Sequence, residues 1–276
     1  MTPKTLVGAL QGKLVPKEIQ LVNRSYDIIG DIAILDIHSS LIKKEKKIGE
    51  ALLSMLNHIR VVCKKVGNHK GVFRLQQLKV IAGEKRKDTE YKENNVRLQL
   101  NVEKCYFSPR LSTERKRITS LVKKNENILV MFSGVGPYPC VIAKNSSANS
   151  ILGIEKNKIA FEYSQKNKEI NKLDNVEFKK GDVKTVVPKI KKKFDRILMP
   201  LPKDAGEFLK VALTKSKKGT IIHFYDFQHE TEFDEAKAKV TVACKKAKKQ
   251  CKILRLVKCG QYSPGKYRVC VDFKIV

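Results

Sequence analysis

Nothing in this sequence resembles a membrane span or an export signal. No run of about 18 apolar residues occurs, and Met1-Thr2-Pro3-Lys4 opens no signal-peptide pattern. The chain is therefore expected to be soluble and cytoplasmic, with no membrane partner. Metal-ligand spacing is missing too: the seven cysteines (Cys63, Cys105, Cys140, Cys244, Cys251, Cys259, Cys270) form no C-x-x-C pair, and the five histidines are scattered. Neither a zinc ribbon, nor a disulfide framework, nor any other metal site is expected. Acidic residues are scarce, 28 against 57 Lys and Arg, for a net charge of +29. That excess is too large to be ordinary solubilising charge and points to a polyanionic partner. A membrane surface would need an apolar anchor as well, so nucleic acid is favoured. The blander account is a Lys-rich surface adapted to salt or heat.

With 276 residues and 42% hydrophobic content, one large domain and a smaller companion are expected. Residues 1–108 read as a small α+β module, with strands at 31–37, 61–66, 72–81 and 96–107 and one amphipathic helix over Leu41–Arg60. From 109 to 276 the rhythm changes to alternating strand and helix, the pattern of a mostly parallel sheet covered on both faces. Strands are expected at 127–132, 150–155, 176–181, 194–200 and 220–227, and helices at 111–123, 138–144, 157–171, 204–215 and 230–249. Two last apolar runs flank Tyr262-Ser263-Pro264-Gly265-Lys266, a tight polar turn suited to an antiparallel hairpin. The fold class is thus α/β, a Rossmann-like sheet with a reversed edge strand.

The segment Met131-Phe132-Ser133-Gly134-Val135-Gly136-Pro137 reads as a strand that ends in a glycine turn and opens a helix. Such turns bind ligands in open α/β sheets, because helix N-termini point into the crevice there. Alone it is a weak signal, for the third glycine of the pyrophosphate fingerprint is missing. The next strand ends in Glu155, about twenty residues on, where an acid can accept from a ribose diol. Lys156 follows it. Asp182, with Val183, closes the third strand, where a carboxylate can meet an adenine amino group. Acids after strands two and three suit an S-adenosylmethionine site, although each acid alone is equally a helix cap. Pro200-Leu201-Pro202 forms a stiff turn past a buried strand, fit to hold backbone carbonyls against a ligand or simply to end the strand. Arg110, Glu114 and Arg117 share one helix face at spacings of four and three, the ordinary signature of a surface ion pair.

Further motifs carry a resemblance over about residue 25 to the C-terminus. Ser25-Tyr26-Asp27-Ile28-Ile29-Gly30-Asp31, HKGVFRL from His69, KENNVRL from Lys92, YFSPRLSTER from Tyr106, MFSGVGP and DRILMPLP together resemble the archaeal and eukaryotic tRNA (guanosine-37-N1) methyltransferases. The resemblance implies a class I methyltransferase sheet, S-adenosylmethionine as cofactor, and the anticodon stem-loop of tRNA as partner of a monomeric chain. By matching position, Glu114 corresponds to the general base and Arg74 to the arginine that steadies guanine O6. Tyr106 and Arg110 match residues of the target pocket, and Tyr138 is a further aromatic able to stack there. Phe132, Ser133, Gly134, Val135, Gly136, Glu155, Lys156, Asp182, Val183, Pro200, Leu201 and Pro202 match the cofactor site. Two positions depart from the pattern: Val130 stands where the family has aspartate and Pro200 where many relatives have asparagine. The fewer than about 25 residues before SYDIIGD lead us to expect the short form, without the additional N-terminal module. The rival that the resemblance implies is the wybutosine-pathway enzyme that transfers the aminocarboxypropyl group of the same cofactor. A catalytically inactive tRNA-binding relative is the other.

Overall fold

The structure is a computed structural model that describes residues 5–68, 71–201 and 205–276. Contacts divide the chain into two units, Met1–Lys92 with Arg97–Pro109, and Glu93–Val96 with Arg110–Val276. The sequence reading cut the chain once, after 108; the additional exchange is the tip of a hairpin.

In the smaller unit, α1 (Leu6–Leu10) and α2 (Pro16–Gln20) precede β1 (Tyr26–Ile29), β2 (Ile32–Leu35), α3 (Glu45–Met55), β3 (Val61–Lys65) and β4 (Leu78–Gly83). The sheet order is β1-β2-β3-β4, antiparallel except for β2 with β3. A parallel pair needs a crossover, and α3 supplies it. Ile48, Ala51 and Leu52 of α3 pack with Ala33, Leu35 and Val62 in one apolar core. The expected helix over 41–60 is shorter, because Ser39–Lys44 forms a 3-10 turn and the chain is extended at Leu56. The expected strand over 72–81 begins only at Leu78, since 71–74 is a turn. The hairpin β5 (Asp88–Glu93) and β6 (Val96–Asn101) follows. Asn94 and Asn95 form its turn with φ of 41° and 63°, the left-handed pair that two-residue hairpin loops require and asparagine tolerates.

The larger unit runs α4 (Ser112–Ser120), β7 (Asn127–Met131), α5 (Pro137–Asn145), β8 (Ser150–Glu155), α6 (Lys158–Ile170), β9 (Val176–Lys180), α7 (Val183–Lys189), β10 (Phe194–Met199), α8 (Ala205–Thr214), β11 (Ser216–His229), α9 (Phe233–Lys246), β12 (Cys251–Ser263) and β13 (Lys266–Ile275). Helix α7 is an addition to the sequence reading. The seven-stranded sheet has the order β12-β13-β11-β10-β7-β8-β9. Strands β7 to β11 pair parallel with their neighbours among themselves, and β13 is antiparallel to both β11 and β12. The reversed strand is therefore not the edge strand expected from the sequence. Strand β13 buries a continuous run from Arg268 to Phe273, whereas β12 alternates with exposed lysine and arginine. The more apolar strand takes the inner place and the charged one blunts the edge.

Succession runs from β7 outward through β8 and β9 on one side and through β10 and β11 on the other, so the strand order reverses between β7 and β10. The crevice at the carboxyl ends of these two strands is where a doubly wound sheet binds its ligand.

Candidate active site

The glycine turn occupies that crevice. Phe132 (φ 57°), Gly134 (φ 57°) and Gly136 (φ 88°) all take left-handed backbone. Such a conformation is uncommon for phenylalanine and marks a turn held by its surroundings. Gly136 caps α5 with Pro137 at its first position, and a Cβ there would stand 2.8 Å from Phe178 Cζ. Only glycine fits. The Gly134 N–H donates to Glu155 Oε2 at 2.7 Å, and the Asn157 N–H donates to Oε1 at 2.7 Å. Burial pushes the Glu155 carboxyl up from its usual value, while these backbone donors oppose the rise. Ser133 in the same turn is buried, and its Oγ has no hydrogen-bond partner. A polar ligand fits a site with an orphaned hydroxyl and a half-buried carboxylate at its floor.

Asp182 caps α7, accepting from the Lys184 N–H at 2.8 Å, and pairs with Lys156 Nζ at 2.9 Å. The Lys156 hydrogen bond holds its carboxyl below the usual range. Both accounts offered by the sequence coexist here, since a capping carboxylate keeps further lone pairs for a ligand. Val183 is buried behind it. Pro200 and Leu201 follow β10 beside the turn, tightened by a Leu201 N–H to Met199 carbonyl bond of 2.8 Å. Pro202 lies outside the described residues, as does His69. Val130 is fully buried between Gly153 and Leu198. A carboxylate at that position would be buried inside the sheet, and valine leaves no charge to satisfy there.

Glu114 is 5% exposed, and the surface ion pair expected from spacing is a buried one. Its Oε1 accepts from Tyr225 Oη at 2.6 Å and from Arg117 Nη2 at 2.7 Å, while Oε2 accepts from Arg117 Nε at 2.7 Å. Arg110 does not share this helix face. It sits exposed in the 3-10 turn Pro109–Leu111 that precedes α4. Arg117 Nη1 reaches on to Asp272 Oδ2 at 2.7 Å. Asp272 Oδ1 meets His223 Nδ1 at 2.6 Å, and His223 Nε2 meets Arg196 Nη1 at 2.7 Å. A guanidinium only donates, so Nε2 is the acceptor and the ring proton of His223 sits on Nδ1, directed at Asp272. Burial holds His223 below its ordinary pKa. Burial would raise Asp272, but the hydrogen bond from His223, with the Arg117 and Arg255 guanidiniums, outweighs it and holds that carboxyl far below the usual range.

His223, Cys270 and Asp272 place ligand atoms within 4.8 Å of one another. Arg196 bonds to the histidine and Arg117 and Arg255 to the aspartate, so cations already surround the cluster and a metal ion would meet their repulsion.

Tyr138 is corrected by the structure. Its ring is 3% exposed and edge-on to Tyr225, to whose hydroxyl it is bonded at 3.0 Å. It presents no face to a base; instead it ties α5, which the glycine turn opens, to the Tyr225–Glu114 pair. In the smaller unit, Arg74 lies in the turn 71–74 with φ 53° rather than on a strand. Its Cζ stands 4.8 Å from the centre of the Tyr106 ring, within cation–π range. The structure thus brings Arg74 and Tyr106 together in one unit, and the cofactor turn and Glu114 together in the other. Sequence reasoning passed over Arg196, His223, Tyr225 and Asp272. The available signal was a polar residue inside an otherwise apolar strand, as in TIIHFYDF and RVCVDFKIV.

A doubly wound sheet with a glycine turn at its switch point, an acid closing the next strand and a capped helix after the third defines a protein that binds a nucleoside-bearing cofactor in the crevice. The chain belongs to the TRM5/TYW2 methyltransferase family: the TRM5/TYW2 methyltransferase domain matches residues 89–254 and the TYW2 N-terminal domain residues 6–86. It is 35% identical over 263 residues to the tRNA (guanine(37)-N(1))-methyltransferase Trm5b of Pyrococcus abyssi, covering 95% of this chain and 78% of that protein. It is 34% identical over 276 residues to the tRNA 4-demethylwyosine(37)-methyltransferase Taw21 of Saccharolobus solfataricus, covering 98% and 99%. Among solved structures, the complex of aTrm5 with tRNALeu superposes with a TM-score of 0.86 at 34% identity, covering all of this chain and 79% of that one.

Proposed function

We propose that the protein methylates N1 of guanosine at position 37 of tRNA, using S-adenosylmethionine. The observation that carries this reading is the path from the glycine turn through Tyr138 and Tyr225 to Glu114, which couples a buried carboxylate to the cofactor crevice. Glu155 and Asp182 would hold the ribose and adenine ends, with the turn backbone and Pro200-Leu201 around them. S-adenosylmethionine, when bound there, would supply an electrophilic methyl group and a sulfur leaving group to take the C–S electron pair.

Guanine N1 carries a proton and is a poor nucleophile until that proton leaves. Glu114 takes it as general base, its two oxygens fixed by Arg117 and Tyr225. Loss of the proton sends negative charge to O6, where the Arg74 guanidinium stabilises the transition state more than the ground state. N1 lies on the Watson–Crick edge, so the base leaves the anticodon stack; Tyr106 offers an aromatic face for it, and exposed Arg110 meets the backbone. The net charge of +29 supports the tRNA as partner. Among the described residues no helix is long and apolar enough to cross a membrane, and a monomer working on tRNA in the cytoplasm is the setting this reading implies.

A second reading rests on the end-to-end match to the 4-demethylwyosine enzyme: a methyl group placed on that tricyclic base at the same position. Transfer of a deuterated methyl group to tRNA carrying either base, followed by nucleoside mass spectrometry, decides between them. The proposal expects labelled 1-methylguanosine from the unmodified tRNA, and product only from the tricyclic base would overturn it.

A further inference from the structure

We propose that Asp272 is a positioning residue that sets the proton affinity of Glu114, by holding the second half of the guanidinium that Glu114 grips. The inference rests on the reading of Glu114 as the base. Arg117 lies between two carboxylates, with Nε and Nη2 on Glu114 and Nη1 on Asp272. The side chains of Glu114 and Asp272 are 4% and 2% exposed, so the charges feel one another with little screening by water. During transfer the N1–H bond breaks. Its proton passes to a Glu114 oxygen, and its electron pair goes to the N1–CH3 bond that forms. At that moment Glu114 becomes neutral, and a guanidinium with no other anion would be left buried and uncompensated, which opposes the proton transfer. Asp272 removes this opposition. It cannot rotate away, because His223 Nδ1 fixes Oδ1 and Arg255 Nε fixes Oδ2; Arg196, itself held by Glu126, in turn fixes His223.

The groups facing Glu114 are Arg117 of its own helix, Tyr225 of β11 and the Cys270 thiol of β13, with Tyr138 and Arg115 behind them. Those facing Asp272 are Arg117, His223, Arg255 and the Cys270 thiol, and Cys259 lies next to that thiol. Two substitutions change the charge around Arg117 with opposite signs. Asp272→Asn leaves the guanidinium to Glu114 alone and makes it a weaker base. Single-turnover methyl transfer should slow by about two- to tenfold, and the acid limb of the rate profile should move down by roughly half to one pH unit. Half-saturation values for tRNA and cofactor should stay within about twofold of wild type. Arg255→Met removes a positive charge from Asp272, and the same limb should move up. The Arg255 side chain is 43% exposed, so this variant carries the test by sign even where Asp272→Asn does not fold. A purely structural role predicts slower transfer in both variants with the limb unmoved, and that result, or shifts of equal sign, overturns the inference. Glu114→Gln separates the two levels. A full rate in that variant overturns the base reading and this inference with it, while a lost rate beside unmoved limbs in the other two overturns this inference alone.

Discussion

Asp272 and His223 dominate the residue scale, because both are buried polar groups in strands whose neighbours are apolar. Their titration has a sign that can be worked out. Burial holds His223 below its ordinary 6.5, so as pH falls the unfolded chain takes up that proton first. The stabilisation is complete above about 6.5 and shrinks below it. Asp272 is depressed, so its contribution is complete above about 4 and is lost only as pH falls further. Between pH 7 and 5 the unfolding free energy of the protein, read from urea titrations, should therefore decline, by at most about 1.4 kcal/mol per pH unit from His223 alone. The His223→Asn variant should show a flatter slope, and an equal slope would remove His223 as its source. Legibility at this scale was uneven. Glu155 was legible from its distance beyond the glycines and Asp182 from its place at the end of the third strand, whereas the roles proposed for Glu114 and Arg74 rest on family motifs. The Arg117–Asp272 and Tyr225–Glu114 bonds join residues 155 and 111 apart in sequence. No local periodicity reports such pairs, and only the anomaly of charge within an apolar strand hints at them.

At the scale of elements the strands were the legible part, since their apolar runs end at turns and helix caps. Helix α7 escaped because it has only seven residues and contains Pro188, too short for a 3.6-residue stripe and apparently broken by its proline. Strand β5 escaped because DTEYKE carries few apolar residues; the Asn94-Asn95 turn was the stronger clue. The order of the last two strands depended on which was more apolar, a comparison between elements that neither pattern contains alone. The glycine turn is the element on which the cofactor site depends. Gly136→Ala adds a Cβ 2.8 Å from Phe178 Cζ at φ 88°, so the turn must shift at a cost of about 1–3 kcal/mol. Calorimetric titration should show at least tenfold weaker binding of S-adenosylmethionine by this variant; wild-type affinity would mean that the cofactor does not use this turn.

For the whole molecule, charge is the governing quantity. A net +29 implies that tRNA affinity comes largely from phosphates, so binding should weaken steeply with salt. If about six phosphates are neutralised, affinity should fall about a thousandfold between 50 and 200 mM salt in filter binding. A flat dependence would assign the affinity to base contacts instead. The charge excess was legible from composition alone, and it named the class of partner before any motif did. The division into two units was legible as a change of rhythm near Pro109, but the exchange of the hairpin tip was not, because the turn Asn94-Asn95 reads as local structure whichever unit it joins. The central claim is that the carboxylate of Glu114, gripped by Arg117 and Tyr225, strips the proton from guanine N1. Its most direct test is single-turnover methyl transfer to guanosine-37 tRNA by Glu114→Gln at saturating cofactor, with tRNA affinity measured beside it. The account predicts a rate at least about a hundredfold below wild type with affinity changed less than about twofold. A rate near wild type, or a collapse of affinity in step with the rate, would contradict it.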